Sequence, residues 1–190
     1  EISSASGWYQ YHQLFREFLV SKLEIDEPRR YRDLCLREAH LMANQGNWSW
    51  AIDGYLSGGA HDEAADAIEI IAQDYFDGGR WSQLETWIDA LPERVLEAHP
   101  RLMLFRARIS TEAGDYAAAE RMLAPAYRIY LEQGGQIGAA QVLAQRAIVQ
   151  RLQERYREAI DSCEEVLGTV EFAVDPSSVV KARQNMGICF

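Results

Sequence analysis

Histidines are the first candidates for acid–base or metal chemistry, and the chain has four of them: His12, His40, His61 and His99. No two stand at the i, i+4 spacing that lets one helix face present two metal ligands, and no His-Glu-x-x-His motif occurs. His61 stands at the start of a predicted helix, where capping explains it better than metal binding. We therefore predict no metal site and no catalytic histidine.

Nucleophile motifs give the same result. Cys35, Cys163 and Cys189 are far apart and show no Cys-x-x-Cys spacing, which is typical of reduced core thiols. The sequence has no Gly-x-Ser-x-Gly elbow for a catalytic serine and no GxxxxGK[ST] loop for a phosphate. We predict that the chain is not an enzyme and takes no cofactor.

Tryptophans are candidates for stacking on a sugar. Trp48 and Trp81 each follow a turn, a position that predicts packing in a core. Trp50 and Trp87 are freer to face a ligand, although packing is the stronger interpretation for them as well.

The 190 residues are 48% hydrophobic and 25% charged, an ordinary composition for a soluble globular protein. It excludes collagen, low-complexity disorder and a disulfide-rich miniprotein. The 19 basic and 29 acidic residues give a net charge of −10, which disfavours binding to nucleic acid or to an anionic membrane. No apolar run approaches the roughly 18 residues of a membrane span, and no signal peptide is recognised. We expect a cytoplasmic protein.

Apolar residues recur at helical spacing along nearly the whole chain. Pro28 suits the first turn of a helix, whereas Pro125 falls inside a helical pattern and predicts a kink or an end there. Glycine favours the left-handed backbone that closes many helices, so glycines predict the helix ends. These glycines are Gly46, Gly58, Gly59, Gly78, Gly79, Gly114, Gly134 and Gly135.

A short unit of turn, aromatic residue and helix recurs at Gly46-Asn47-Trp48, Gly79-Arg80-Trp81, Gly114-Asp115-Tyr116 and Glu154-Arg155-Tyr156. A small residue stands seven positions before each turn, at Ala39, Ala72, Ala107 and Ala147, and Gly187 continues the series. The spacing drifts from 33 to 40 residues. Two helices approach closely where both carry small side chains, and such hairpins must stack on one another to bury their apolar faces.

This pattern resembles the tetratricopeptide repeat. It predicts an all-α fold, a right-handed tetratricopeptide-like helical-hairpin solenoid over residues 26–190. About four hairpins and the first helix of another fit that length. A short hairpin remnant is expected near residues 2–11, where strand-forming residues precede the first helix.

In a solenoid of this kind the first helix of each hairpin lines a concave groove. Positions offset by −6, −3, +1 and +5 from the small residue face it. The polar residues predicted to bind a ligand or partner there are Asp33, His40, Asn44, Glu69, Gln73, Asp77, Arg101, Arg108, Glu112, Gln141, Lys181 and Gln184. The early part of the groove is acidic and the later part adds cations, a gradient that would orient a polar ligand.

Two segments carry a more particular resemblance. WYQYHQLFREFL at residues 8–19 and LPERVLEAHPRLML at residues 91–104 are similar to segments of MalT-type, LuxR-family ATP-dependent transcriptional regulators. In that family the first segment closes a winged-helix module and the second lies within helical repeats. The resemblance covers most of residues 8–133.

The resemblance implies a sensor. Residues 1–25 would be the tail of a winged-helix module with a linking helix, and residues 26–190 would form the repeat superhelix. Family members bind an inducer in the repeats, a malto-oligosaccharide in one of them, and carry the ATPase and helix-turn-helix elsewhere. We expect a piece of such a regulator, with a small-molecule inducer or a protein partner in the groove. An apolar edge after Phe190 predicts self-association.

Two other functions stay open at this point. A tetratricopeptide-like scaffold that only binds proteins would need no inducer, and a peptide or protein would occupy its groove. An enzyme would need a catalytic arrangement that the motifs above do not supply.

Overall fold

The computed structural model describes residues 13–171 and 174–189, and every regular element in those ranges is an α-helix. The all-α prediction is therefore confirmed. None of these helices is both long and apolar enough to cross a bilayer. The eleven helices of the described ranges are α1 (Gln13–Asp26), α2 (Pro28–Asn44), α3 (Trp48–Gly58), α4 (His61–Asp77), α5 (Trp81–Asp89), α6 (Glu93–Ala98), α7 (Pro100–Glu112), α8 (Tyr116–Glu132), α9 (Gln136–Leu152), α10 (Tyr156–Thr169) and α11 (Pro176–Cys189).

The chain divides into two compact units between Ala64 and Ala65, within helix α4. The first unit holds α1 to α3, and the second holds α5 to α11 with the larger part of α4. The boundary predicted after residue 25 stays a prediction. The hairpin expected at residues 2–11 lies outside the described residues.

In the first unit, α2 and α3 pack closely at one point. Pro28 opens α2, as the sequence predicts. A Cβ added to Gly54 of α3 would lie 2.9 Å from the Cβ of Ala39 on α2, so only glycine fits there. The predicted close contact at Ala39 is thus matched by a second small residue. Helix α1 leaves large apolar side chains exposed, Leu14, Phe18 and Ile25 among them.

The core of the second unit follows the predicted small residues. Ala107 packs with Ala119 and Leu123, and Ala147 packs with Leu143 in a neighbouring cluster. The four predicted alanines at helix crossings are all fully buried: Ala39, Ala72, Ala107 and Ala147.

Gly187, the expected fifth member of that series, differs from the other four. It is exposed, and a Cβ there would meet nothing within 4 Å. Helix α11 instead buries Ser178, Val179, Ala182 and Asn185, which lie at helical spacing on a face that Gly187 does not share.

Pro125 does not end helix α8, which runs without interruption from Tyr116 to Glu132. Of the predicted kink or end at this residue, the end is therefore wrong and the kink stays a prediction. Proline removes one backbone donor, but buried residues on both sides, Leu123 and Ala126 among them, hold the flanking turns in the helix.

Five of the eight predicted glycines adopt the left-handed backbone, with φ angles of 69° to 79°: Gly46, Gly59, Gly79, Gly114 and Gly134. Gly58, Gly78 and Gly135 do not, because each stands next to a glycine that takes this conformation instead. In the turn after α9 the residue with the left-handed backbone is a glutamate, Glu154, whose φ is 61°. A side chain in this region clashes with its own backbone, at a cost of about 1–2 kcal/mol.

We expect Glu154→Gly to raise the free energy of unfolding by about 0.5–1 kcal/mol. The gain is smaller than the strain removed because glycine makes the unfolded chain more flexible. Urea denaturation followed by circular dichroism measures it. Gly114→Ala is the matched control in the opposite direction and should lower stability. A Glu154→Gly protein less stable than wild type would contradict the assignment of strain.

Candidate functional site

Three of the predicted groove residues lie on α2 in the first unit. Asp33, His40 and Asn44 are all exposed. His40 Nδ1 lies 3.0 Å from the hydroxyl of Tyr55 on α3, and the two rings meet edge to face. Burial raises the pKa of Tyr55, with a smaller contribution from the charge of Glu63. His40 is therefore held against α3 rather than turned freely to solvent.

The second unit contains an open cavity of about 160 Å³. Five of the predicted groove residues line it: Gln73 from α4, Arg101 and Arg108 from α7, Gln141 from α9 and Lys181 from α11. Helical spacing explains why both arginines reach it, since residues seven apart share one face of α7. Five of the twelve predicted groove residues therefore line one surface in this unit, and their binding of a ligand stays a prediction.

Arg108 is the most constrained group in the cavity. Its guanidinium carbon lies 3.8 Å from the ring centroid of Phe76 and 5.1 Å from that of Phe105. Its Nη1 donates a hydrogen bond of 3.2 Å to the side-chain oxygen of Gln73. Burial lowers the pKa of Arg108, and the charges of Asp77 and Glu112 partly offset this. The guanidinium is thus fixed in orientation while it remains charged.

Lys181 enters the cavity from α11. Desolvation lowers its pKa first, and the positive charge of Arg108 lowers it further. Asp175 and Asp77 act in the opposite direction. Asp175 also caps α11, because its Oδ1 accepts a hydrogen bond of 3.2 Å from the backbone N–H of Ser178. The two cations are therefore near enough to repel each other.

The other predicted residues of the second unit lie beside the cavity or apart from it. Asp77 accepts a hydrogen bond of 2.7 Å from Gln73, and Glu112 acts on Arg108 through its charge. Glu69 lies 3.5 Å from His99 Nδ1. Gln184 is exposed on α11 and is not part of the lining.

The sequence prediction missed three polar residues of the lining: Gln145, Ser177 and Ser178. Gln145 is buried and donates a hydrogen bond of 3.0 Å to the hydroxyl of Thr111. The two serines follow Pro176 in the first turn of α11. A serine pair directly after a helix-starting proline could have marked this helix end as a source of hydroxyl and N–H donors.

The two freer tryptophans have different outcomes. Trp87 is buried, and its ring centroid lies 5.0 Å from that of Tyr75. Trp50 is exposed on α3. The packing interpretation therefore holds for Trp87.

The groups in the cavity suit binding by charge and hydrogen bonding. They are guanidinium, ammonium, amide and hydroxyl groups around an apolar floor of Leu104, Phe105 and Ala144. Cys163 lies elsewhere in the core, where burial raises its pKa to about 11 and makes it a poor nucleophile. Across residues 13–171 and 174–189, no group of three His, Cys, Asp or Glu side chains is placed to hold a metal.

The chain is similar to parts of larger regulatory proteins, although no family model matches it. It is 26% identical over 153 residues to the HTH-type transcriptional regulator MalT of Vibrio campbellii, covering 77% of this chain and 17% of that protein. It is 29% identical over 125 residues to MalT of Cronobacter sakazakii, covering 66% and 14%. The serine/threonine-protein kinase PknK of Mycobacterium tuberculosis is 26% identical over 98 residues, covering 52% and 9%.

The chain thus spans less than a fifth of the length of these relatives. The likeness to MalT covers 66% to 77% of the chain in the two MalT proteins above. The chain is therefore distantly related to a region of MalT-type transcriptional regulators.

Proposed function

We propose that the chain is the ligand-sensing and protein-interaction region of a MalT-like, LuxR-family transcriptional regulator, built of tetratricopeptide-like hairpins. It binds an inducer or partner in its groove and controls the activity of the whole protein. It performs no catalysis, takes no cofactor, contacts neither nucleic acid nor membrane and works in the cytoplasm.

The observation that carries this proposal is the convergence of predicted groove positions on one cavity. Gln73, Arg101, Gln141 and Lys181 come from four different helices. A ligand that bridges four helices is bound more tightly by one arrangement of them than by another, and so shifts the population towards that arrangement. This is what a sensor region needs in order to control other parts of a protein. The likeness to MalT supplies the transcriptional context.

The proposal is tested by sequencing RNA from cells that lack the gene for the protein containing this chain. We expect a defined set of transcripts to change and to recover when the wild-type gene is returned. Gln141→Ala should alter the induced level of those transcripts, because it removes a cavity side chain. Gln184→Ala is the matched control, because Gln184 is exposed on α11 and does not line the cavity, and it should behave as wild type. Transcripts unchanged by the deletion would overturn the proposal.

A second candidate is a scaffold that binds proteins without an inducer. The exposed apolar side chains of α1, Leu14, Phe18 and Ile25, favour a protein surface against that helix. On α11, Val180 and Ile188 are exposed and favour self-association. A pull-down whose recovered partner depends on Phe18 but not on Gln141 would support the scaffold function over sensing. Sedimentation tests self-association, and a strict monomer at high concentration would exclude it.

A further inference from the structure

The cavity of the second unit is lined by three cations, Arg101, Arg108 and Lys181, and by no carboxylate. This is unusual in a chain with 19 basic and 29 acidic residues. Elsewhere in the described ranges, arginines such as Arg106 and Arg155 form ion pairs with carboxylates. Among the same described residues, none of the three cavity cations has a carboxylate oxygen at ion-pair distance. Cations gathered without carboxylate partners leave a site for an anion.

The geometry of Arg108 prepares it for this role. The rings of Phe76 and Phe105 and the hydrogen bond to Gln73 fix the plane of its guanidinium. A fixed guanidinium presents its remaining N–H groups as a fork that fits the oxygens of a phosphate or carboxylate. Little side-chain entropy is then lost when an anion binds.

The carboxylates around the cavity leave the attraction of its cations for an anion in place. Asp77 and Glu112 face Arg108, and Asp77 and Asp175 face Lys181, but all of them act from beyond ion-pair distance. Desolvation disfavours the charged forms of both Arg108 and Lys181, and the positive charge of Arg108 further disfavours the charged form of Lys181. A bound anion would relieve both effects, since it is an opposite charge in the same partly desolvated space.

The uncharged groups of the lining indicate the rest of the ligand. Gln73, Gln141 and Gln145 offer amides, and Ser177 and Ser178 offer hydroxyls at the first turn of the 14-residue helix α11. Amides and hydroxyls both donate and accept hydrogen bonds, as the hydroxyl groups of a ligand require.

We propose that this cavity binds a small, hydroxyl-rich anion through its phosphate or carboxylate group. The anionic group lies against Arg101, Arg108 and Lys181, and the hydroxyl groups lie against the amides and serines. The inference rests on the proposed sensor function, because it assigns the chemical class of the inducer.

Calorimetric titration of the purified chain tests the proposal with three probes of one carbon skeleton: glucose, gluconate and glucose 6-phosphate. All titrations are made at equal ionic strength. We expect at least one of the two anions to bind and glucose not to bind. Preference for glucose 6-phosphate assigns a phosphate, and preference for gluconate assigns a carboxylate.

Charge-removing variants locate the binding. Lys181→Gln and Arg101→Gln alter exposed side chains. We expect each to lower the affinity for the anion by about tenfold, the effect of losing one charge-assisted hydrogen bond. Arg183→Gln is the matched control, because it is exposed on the same helix as Lys181 but is not part of the lining. It removes the same charge and should bind as wild type.

Three results would overturn the anion proposal: neither anion binds, glucose binds as tightly as the anions, or Arg183→Gln weakens binding as much as Lys181→Gln. These failures are separate from failure of the sensor function. That function is judged by the transcripts that depend on Gln141. It stands if Gln141→Ala alters them while no anion binds.

Discussion

Ala107→Leu should lower the free energy of unfolding by about 1–3 kcal/mol, the usual cost of overpacking a tight core. Ala107 is fully buried in α7 and packs in one cluster with Ala119 and Leu123 of α8. A leucine adds three carbon atoms at a point where the two helices already touch. The helices must separate or the new side chain must leave its preferred rotamer, and both lower stability.

Urea denaturation followed by circular dichroism measures the change. Ala147→Leu in α9 is a companion, because Ala147 is equally buried one repeat later, and we expect a similar loss. Ala117→Leu is the control: Ala117 is exposed on α8, and its change should stay within about 0.5 kcal/mol. If both core variants are as stable as wild type, the repeat register proposed for this chain is wrong.

The helices and their crossings could be predicted because the physics that fixes them is local. Apolar spacing indicates a helix, and a glycine such as Gly114 indicates where it ends, because the left-handed backbone there strains other residues. Ala107 was placed at a crossing by its distance from that turn alone. At Pro125 the same rules predict a kink or an end, and only the end is contradicted, because α8 continues through the proline.

The cavity could be predicted only in part. Arg101 and Arg108 stand seven residues apart, so their common face on α7 follows from the helix period. Ser178 and Gln145 stand on different helices and line the same cavity only because α9 and α11 pack together. The stacking of Arg108 on Phe76 likewise depends on long-range packing, which no local pattern encodes.

Leu123→Ala should lower the free energy of unfolding by about 2–5 kcal/mol, the range for deleting a buried leucine side chain. Leu123 is 1% exposed, and it packs in the cluster that holds Ala107 of α7 and Val149 of α9. The loss combines the transfer of apolar atoms with the void left between three helices. Leu131→Ala is a matched control on the same helix, because Leu131 is 55% exposed and should change stability little.

The position of α8 gives this prediction a functional consequence. Helices α7 and α9 both pack on α8, and they carry Arg101, Arg108 and Gln141 of the cavity. In a stack of hairpins each unit is held by its neighbours, so a void under α8 loosens both helices that position those side chains. Leu123→Ala should therefore lower the affinity for whichever anion binds, gluconate or glucose 6-phosphate, at temperatures where the chain is still folded. Full stability in the variant would mean that α8 does not fix the spacing of α7 and α9. Lost stability with unchanged binding would mean that the cavity keeps its geometry without that support.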